Sequence, residues 1–135
     1  MANFVKINSF VENLAEKKID LSGAELTVAL TNTAHTATWD ELADLTQISY
    51  TNLSSRVITV TSSAQTSGTY KLVLEDLTLT ASGAVGPFRY IYIYDDGSTG
   101  DKLICYYDYG SEVTMANGDT FKINFDGSAG VLTIA

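Results

Sequence analysis

The chain has 135 residues, of which 45% are hydrophobic and 18% are charged, and its formal net charge is −8. This length predicts one domain with a core of its own. Eight Lys and Arg residues among sixteen Asp and Glu residues do not supply the concentrated basic surface that nucleic acids require. No apolar run is long enough for a membrane-spanning helix. We therefore expect binding neither to nucleic acid nor to a membrane.

The first part of the chain, residues 1–9, is predicted to be an N-terminal arm, and residues 10–135 a single β domain. Phe4, Val5 and Ile7 are the apolar residues of this arm. They are too few to pack by themselves, which makes them candidates for contact with a partner protein. The alternative for Phe4 and Ile7 is that they fold back onto their own domain. The arm lacks the apolar core of a secretory signal, so we expect a protein that is used without export.

Short helical segments are predicted near the N-terminus. Ser9 and Glu12 have the spacing of a capping box, which predicts a helix over about residues 10–17. Residues 38–41 repeat that spacing, so either one or two helical turns or a long ordered loop follows them. Trp39 lies there and is a further candidate for partner contact. Its alternative is a place in the chain's own core.

Most of the remaining chain has β patterns. Alternation of polar and apolar residues, together with runs of β-branched and aromatic residues, predicts about seven strands bounded by turn residues. The predicted strands cover residues 25–30, 56–61, 69–80, 87–94, 103–110, 121–125 and 131–134. Residues 62–68 are predicted to be a polar turn region. Glu75-Asp76 is predicted to be a bulge or bend, and Asn117-Gly118 a turn between apolar flanks.

The order of these elements predicts the fold class. Strands follow one another without intervening helices, which favours antiparallel pairing. We therefore predict an all-β fold, an antiparallel β-sandwich or jelly-roll-like single domain with a short N-terminal helix.

The most distinctive pattern is a hairpin made of residues 87–94 and 103–110. Tyr90, Tyr92 and Tyr94 alternate with isoleucines, so the three rings are predicted to share one face of a strand. Three interpretations of that face stay open: the edge of the core, an interface with a partner protein, and a carbohydrate-binding surface.

Candidate residues for catalysis or metal binding are few. His35 is the single histidine and Cys105 the single cysteine, so the sequence predicts neither a zinc site nor a disulfide within the chain. His35 is expected to be solvated, and Cys105 to pack as a small hydrophobe. The acidic residues between the two hairpin strands are predicted to form a turn, with calcium binding as the alternative; they are Asp95, Asp96 and Asp101. We predict no enzyme, no cofactor and no metal site.

Six short stretches of the sequence indicate a family when they are taken together in chain order, although each of them alone is a weak signal. They are residues 8–15, 26–33, 68–72, 86–96, 107–110 and 117–121. In this order they resemble a group of small virion structural proteins of tailed bacteriophages, some of which act as capsid decoration (cement) proteins. The resemblance spans nearly the whole chain.

The resemblance implies a function in assembly. The partners would be the major capsid protein and further copies of this chain, with a homotrimer as the expected oligomer. The location would be the host cytoplasm during assembly and the outer capsid surface of the virion afterwards. The group has no catalytic motif that maps onto this chain. The alternatives are a tail or connector component and a carbohydrate-binding adhesion module on the virion.

Overall fold

A computed structural model describes residues 2–22 and 25–135, so Met1 of the predicted arm lies outside the described residues. The described residues form nine strands, one α-helix and one short 3₁₀ helix. In chain order these are β1 (Val5–Lys6), α1 (Phe10–Ala15), β2 (Leu26–Thr31), the 3₁₀ helix (Leu42–Asp44), β3 (Val60–Thr66), β4 (Thr69–Leu74), β5 (Leu77–Thr80), β6 (Val85–Asp95), β7 (Lys102–Met115), β8 (Thr120–Ile123) and β9 (Leu132–Ile134). The prediction of a small, antiparallel all-β domain with a short N-terminal helix is confirmed. No helix within these ranges is long and apolar enough to cross a membrane.

The strands form three antiparallel sheets. The largest has the order β1-β7-β6-β2, the second has the order β3-β4-β9, and β5 pairs with β8 in the third. One cluster of buried hydrophobic residues contains side chains from all three sheets, such as Val28, Leu72 and Leu79. The three sheets therefore share a core, and the four-stranded sheet contributes the most buried strands to it.

The predicted Tyr-rich hairpin is present as β6 and β7. The two strands pair from Asp95↔Lys102, next to the turn, to Val85↔Met115 at the far end. The last five residues of β6, Ile91 to Asp95, are all buried. Both faces of β6 are therefore covered, which explains why its apolar residues are continuous rather than alternating.

Two adjoining predictions, the strand over residues 56–61 and the turn after it, are wrong: only residues 60–61 of the predicted strand belong to β3, and Val57 forms an isolated bridge to Thr27. Residues 62–68, predicted to be a turn region, form most of β3 and the turn that follows it. The small polar residues of β3 obscure the strand pattern. The hairpin turn consists of Ser67 and Gly68 alone, and both have positive φ angles, of 51° and 85°. A two-residue turn of this kind matches the twist of the strands that it connects.

The predicted bend at Glu75-Asp76 is confirmed and has a structural purpose. It separates β4, which pairs with β3 and β9, from β5, which pairs with β8. The turn at Asn117-Gly118 is also present, but its flanks do not form a hairpin. The Gly118 N–H donates to the Ala81 carbonyl, 2.8 Å away, and the turn therefore directs β8 to β5 instead of β7.

Helix α1 begins at Phe10, as predicted, but the capping of both helices differs from the prediction. Ser9 precedes α1 but makes no capping hydrogen bond with its side chain, and α1 ends at Ala15. The capping box of the 3₁₀ helix is formed by Glu41 and Asp44, three residues later than the sequence spacing suggested. At α1 the difference arises because Ser9 donates its hydroxyl to Asp40, in the loop between β2 and the 3₁₀ helix.

Candidate interaction surface

The N-terminal residues extend the largest sheet at one edge. Val5 and Lys6 form β1, in register with Tyr106 and Cys105 of β7. Val5 keeps 39% of its surface exposed. Phe4 is half-buried, and its ring meets the Tyr107 ring edge-on with 6.1 Å between centroids. Phe4 and Val5, both predicted partner contacts, therefore both keep exposed surface at this edge, but on opposite faces of the sheet.

Ile7 lies in the core instead. It has no exposed surface, and its N–H donates to the Ile104 carbonyl at 3.1 Å. The prediction that Ile7 contacts a partner protein is therefore wrong. Ile7 folds back onto its own domain, which was the alternative. The sequence suggested a detached arm because the β pattern before residue 9 is only a few residues long.

An apolar surface groove of about 370 Å³ lies beside Phe4. Residues from the segment before β1, from β6, β7 and β8, and from the segment before β9 surround it. Its apolar lining includes Phe4, Ile91, Tyr107, Phe121, Phe125 and Val131. Tyr109, which is 52% exposed, packs edge-on against Phe121 with 5.2 Å between ring centroids. The sequence did not predict this groove, because its walls come from segments that are far apart along the chain.

Trp39, the fourth predicted contact residue, belongs to an aromatic cluster. Its ring meets the His35 ring edge-on at 5.5 Å between centroids. His35 stacks on Tyr106 at 4.4 Å and its Nδ1 lies 2.8 Å from the Tyr92 hydroxyl. Burial lowers the pKa of His35. Trp39 is therefore a packing residue in this structure, and His35 is not the solvated side chain that the sequence suggested.

A polar network holds this loop against the rest of the domain. Asp40 Oδ1 accepts hydrogen bonds from Ser9 Oγ at 2.6 Å and from Asn13 Nδ2 at 2.8 Å. Asp40 Oδ2 pairs with Lys102 Nζ at 3.2 Å. The Ser9 hydroxyl, followed by Asn13 and Lys102, holds the pKa of Asp40 below its usual value. One carboxylate thus connects α1, the loop and the start of β7.

In the acidic turn after β6, the Asp95 carboxylate stabilises the local backbone. Asp95 is buried and accepts hydrogen bonds from the backbone N–H groups of Asp20, at 2.9 Å, and Gly97, at 3.0 Å. Burial, with the neighbouring Asp96 and Asp95 carboxylates, raises the pKa of Asp101. Within residues 2–22 and 25–135, no three His, Cys, Asp or Glu side chains are grouped to hold a metal ion.

The Tyr-rich strand presents little ring surface to solvent. Tyr92 and Tyr94 are buried, and only Tyr90 of the three is partly exposed. Their common face therefore belongs mainly to the core.

Cys105 is also buried, and burial raises the pKa of its thiol. Cys105 is placed as a packing residue.

No family model, curated protein or solved structure matches this chain. Of the four predicted contact residues, Phe4 lines the apolar groove and Val5 is exposed on the adjacent edge strand, whereas Ile7 and Trp39 pack against the core.

Proposed function

We propose that this chain is a structural protein of a tailed-phage virion, a capsid decoration (cement) protein. Copies of it, arriving as trimers, would bind the lattice of the major capsid protein on the outer face of the head and stabilise it. The ordered resemblance of six stretches to small phage virion proteins supports this function.

The structural observation that carries the proposal is the position of β1 beside the apolar groove. Val5 is exposed on a two-residue edge strand, and Phe4, Tyr107 and Phe121 line the groove next to it. A contiguous apolar and aromatic surface with an adjacent sheet edge is typical of protein–protein interfaces. An extended segment of a capsid subunit could pair with the edge while its side chains enter the groove.

The backbone of β1, which borders the groove, is already ordered in the free protein. Ile7 anchors the end of β1 in the core, and Val5 and Lys6 are paired with β7. The contact residues therefore lose little conformational freedom when a partner binds, which favours affinity.

The charge of the chain fits a protein that is added to a lattice. A net charge of −8 favours solubility of the free protein and limits nonspecific association. Once bound, many weak contacts per particle add up through multivalency, so a single interface need not be strong.

The experiment that tests this function is cosedimentation of the purified protein with undecorated phage heads. Saturable binding at on the order of hundreds of copies per head is the expected result, because a lattice offers a site at every equivalent position. Binding at about a dozen copies would indicate a connector or tail ring instead. Light scattering on the free protein measures whether it is trimeric before binding.

A further inference from the structure

The outer strand of the second sheet, β3, is unusually exposed. It lies at one edge of the order β3-β4-β9, and five of its seven residues are exposed. Among the described residues, no backbone group outside β4 pairs with residues 62–66. The outer edge of β3 is therefore open to another strand.

The free backbone groups of this edge can be assigned from the register. The two-residue turn at Ser67-Gly68 closes on the pair Thr66↔Thr69, and hydrogen-bonded pairs then alternate along the ladder. The N–H and C=O groups of Ser63 and Gln65 consequently face away from β4. They form a short row of donors and acceptors without a strand to pair with.

The composition of β3 lacks the features that usually block such an edge. Exposed edge strands are commonly protected by Lys, by proline or by inward-facing charges. The whole segment from Val57 to Tyr70 contains no proline and no charged residue.

We propose that β3 pairs antiparallel with β3 of a second copy of this chain, about a two-fold axis at Ala64. Ser63 then pairs with Gln65 of the second copy, and Gln65 with Ser63, which satisfies the free backbone groups on both sides. The register favours a second copy as the occupant, because the free backbone groups of Ser63 and Gln65 are self-complementary about Ala64. The strands that meet carry no charged side chain, so they add no local repulsion to that between two chains of net charge −8. An isologous contact of this kind closes by symmetry.

The pair is a weak contact. One short strand buries far less than the roughly 1,200 Å² of a stable interface. It therefore becomes occupied at high local concentration, such as that of neighbouring copies on a surface. The inference does not depend on the proposed function, since it follows from the register and composition of β3 alone.

A disulfide trap tests both the contact and its register. In the proposed pairing, Ala64 lies opposite its own copy as a non-hydrogen-bonded pair, with about 4.5 Å between Cα atoms. This separation is within the range that a disulfide spans. We expect Ala64→Cys to form a covalent dimer readily in oxidised glutathione. Native Cys105 is buried and takes no part.

The matched control is Ser62→Cys on the same exposed strand face. In the proposed register the Cα atoms of residue 62 in the two copies would lie roughly 13 Å apart, too far for a disulfide. We expect this variant to form dimers at least tenfold more slowly. The proposal is overturned if Ala64→Cys remains monomeric, or if Ser62→Cys forms dimers equally fast.

A second measurement uses the native strand. The backbone amide resonances of Ser63 and Gln65 should shift as the protein concentration rises, and Ala64→Lys should abolish the shifts by placing two like charges opposite each other. Concentration-dependent shifts that spare β3, or that persist in Ala64→Lys, would contradict the pairing.

Discussion

Asp40 Oδ1 accepts a hydrogen bond of 2.6 Å from Ser9 Oγ, and this bond joins segments that are 31 residues apart. The same carboxylate accepts from the buried Asn13 and pairs with Lys102 at the start of β7. The N-terminal helix is thereby fixed to β7 of the largest sheet, the strand that also pairs with β1.

Replacing Asp40 by Ala is expected to destabilise the fold. The Asn13 side chain is buried, and without Asp40 its amide loses the acceptor that the structure provides. An unsatisfied buried donor costs about 1–3 kcal/mol. Urea unfolding followed by circular dichroism measures the loss. Glu75→Ala, at an exposed position with no side-chain hydrogen bond among those described, is the control and should leave the midpoint nearly unchanged.

Replacing Ile7 by Ala should be costly, whereas replacing its neighbour Val5 by Ala should not be. Ile7 is fully buried, and large-to-small substitutions of this kind cost about 2–5 kcal/mol. Val5 is exposed, so Val5→Ala should cost less than about 1 kcal/mol. Equal unfolding free energies for the two variants would mean that β1 is not anchored through Ile7.

The sequence predicted the local elements better than their partners. The period-2 pattern and turn residues identified β2, the β6–β7 hairpin and β9. The pairing of β8 with β5 could not be predicted from the sequence. A turn at Asn117-Gly118 has the same residues whether its flanks pair with each other or separate. Strand β3 was missed for a different reason: small polar residues are typical of turns, and what makes them a strand is the hairpin with β4.

A Tyr50→Phe substitution tests the hydrogen bond that Tyr50 makes to β2, the edge strand of the largest sheet opposite β1. The Tyr50 hydroxyl accepts a hydrogen bond of 2.9 Å from the N–H of Leu30, which is fully buried in β2. Phenylalanine keeps the ring on which Arg56 stacks, 3.6 Å from the ring centroid, but removes the acceptor. We expect a loss of about 1–3 kcal/mol in unfolding free energy.

The local readout for this variant is hydrogen exchange. The Leu30 amide should exchange faster in Tyr50→Phe relative to the amides of β9, which lie in another sheet. Unchanged protection at Leu30 would show that another group satisfies this N–H.

Acidification should destabilise the protein through His35. Burial lowers the pKa of His35 below its usual value of 6.5, so the folded state favours the neutral ring. The stabilising contribution is present in full above pH 6.5 and is lost as the pH falls below that value through the folded pKa. We expect His35→Phe to remove the part of the pH dependence of stability that lies in this range.

Trp39 provides a direct signal for that titration. It is the single tryptophan, and its ring lies 5.5 Å from the His35 ring. Its fluorescence should change with a midpoint below pH 6.5 in the native protein and stay constant in His35→Phe. A midpoint at or above 6.5 would contradict the half-buried, stacked position of His35.

The candidate surface could be predicted only in part. An apolar N-terminal stretch was visible in the sequence, and the structure places Phe4 and Val5 of that stretch at the surface. Nothing in the sequence separated Ile7 from them, since burial depends on the backbone pairing that turns one side chain inward. The groove needs Phe121 and Val131 beside Phe4, and such long-range contacts leave no periodic signal.

The most direct test of the proposed function compares Val5→Lys with Val57→Lys in cosedimentation with undecorated heads. Both valines are exposed, at 39% and 53%, but Val5 lies at the β1 edge of the largest sheet, and Val57 lies beyond β2 at the opposite edge. We predict that both variants fold, that Val57→Lys binds heads like the native protein, and that Val5→Lys loses at least tenfold in affinity. Native protein that does not bind heads would contradict the decoration function, and equal binding by the two variants would contradict the β1 surface.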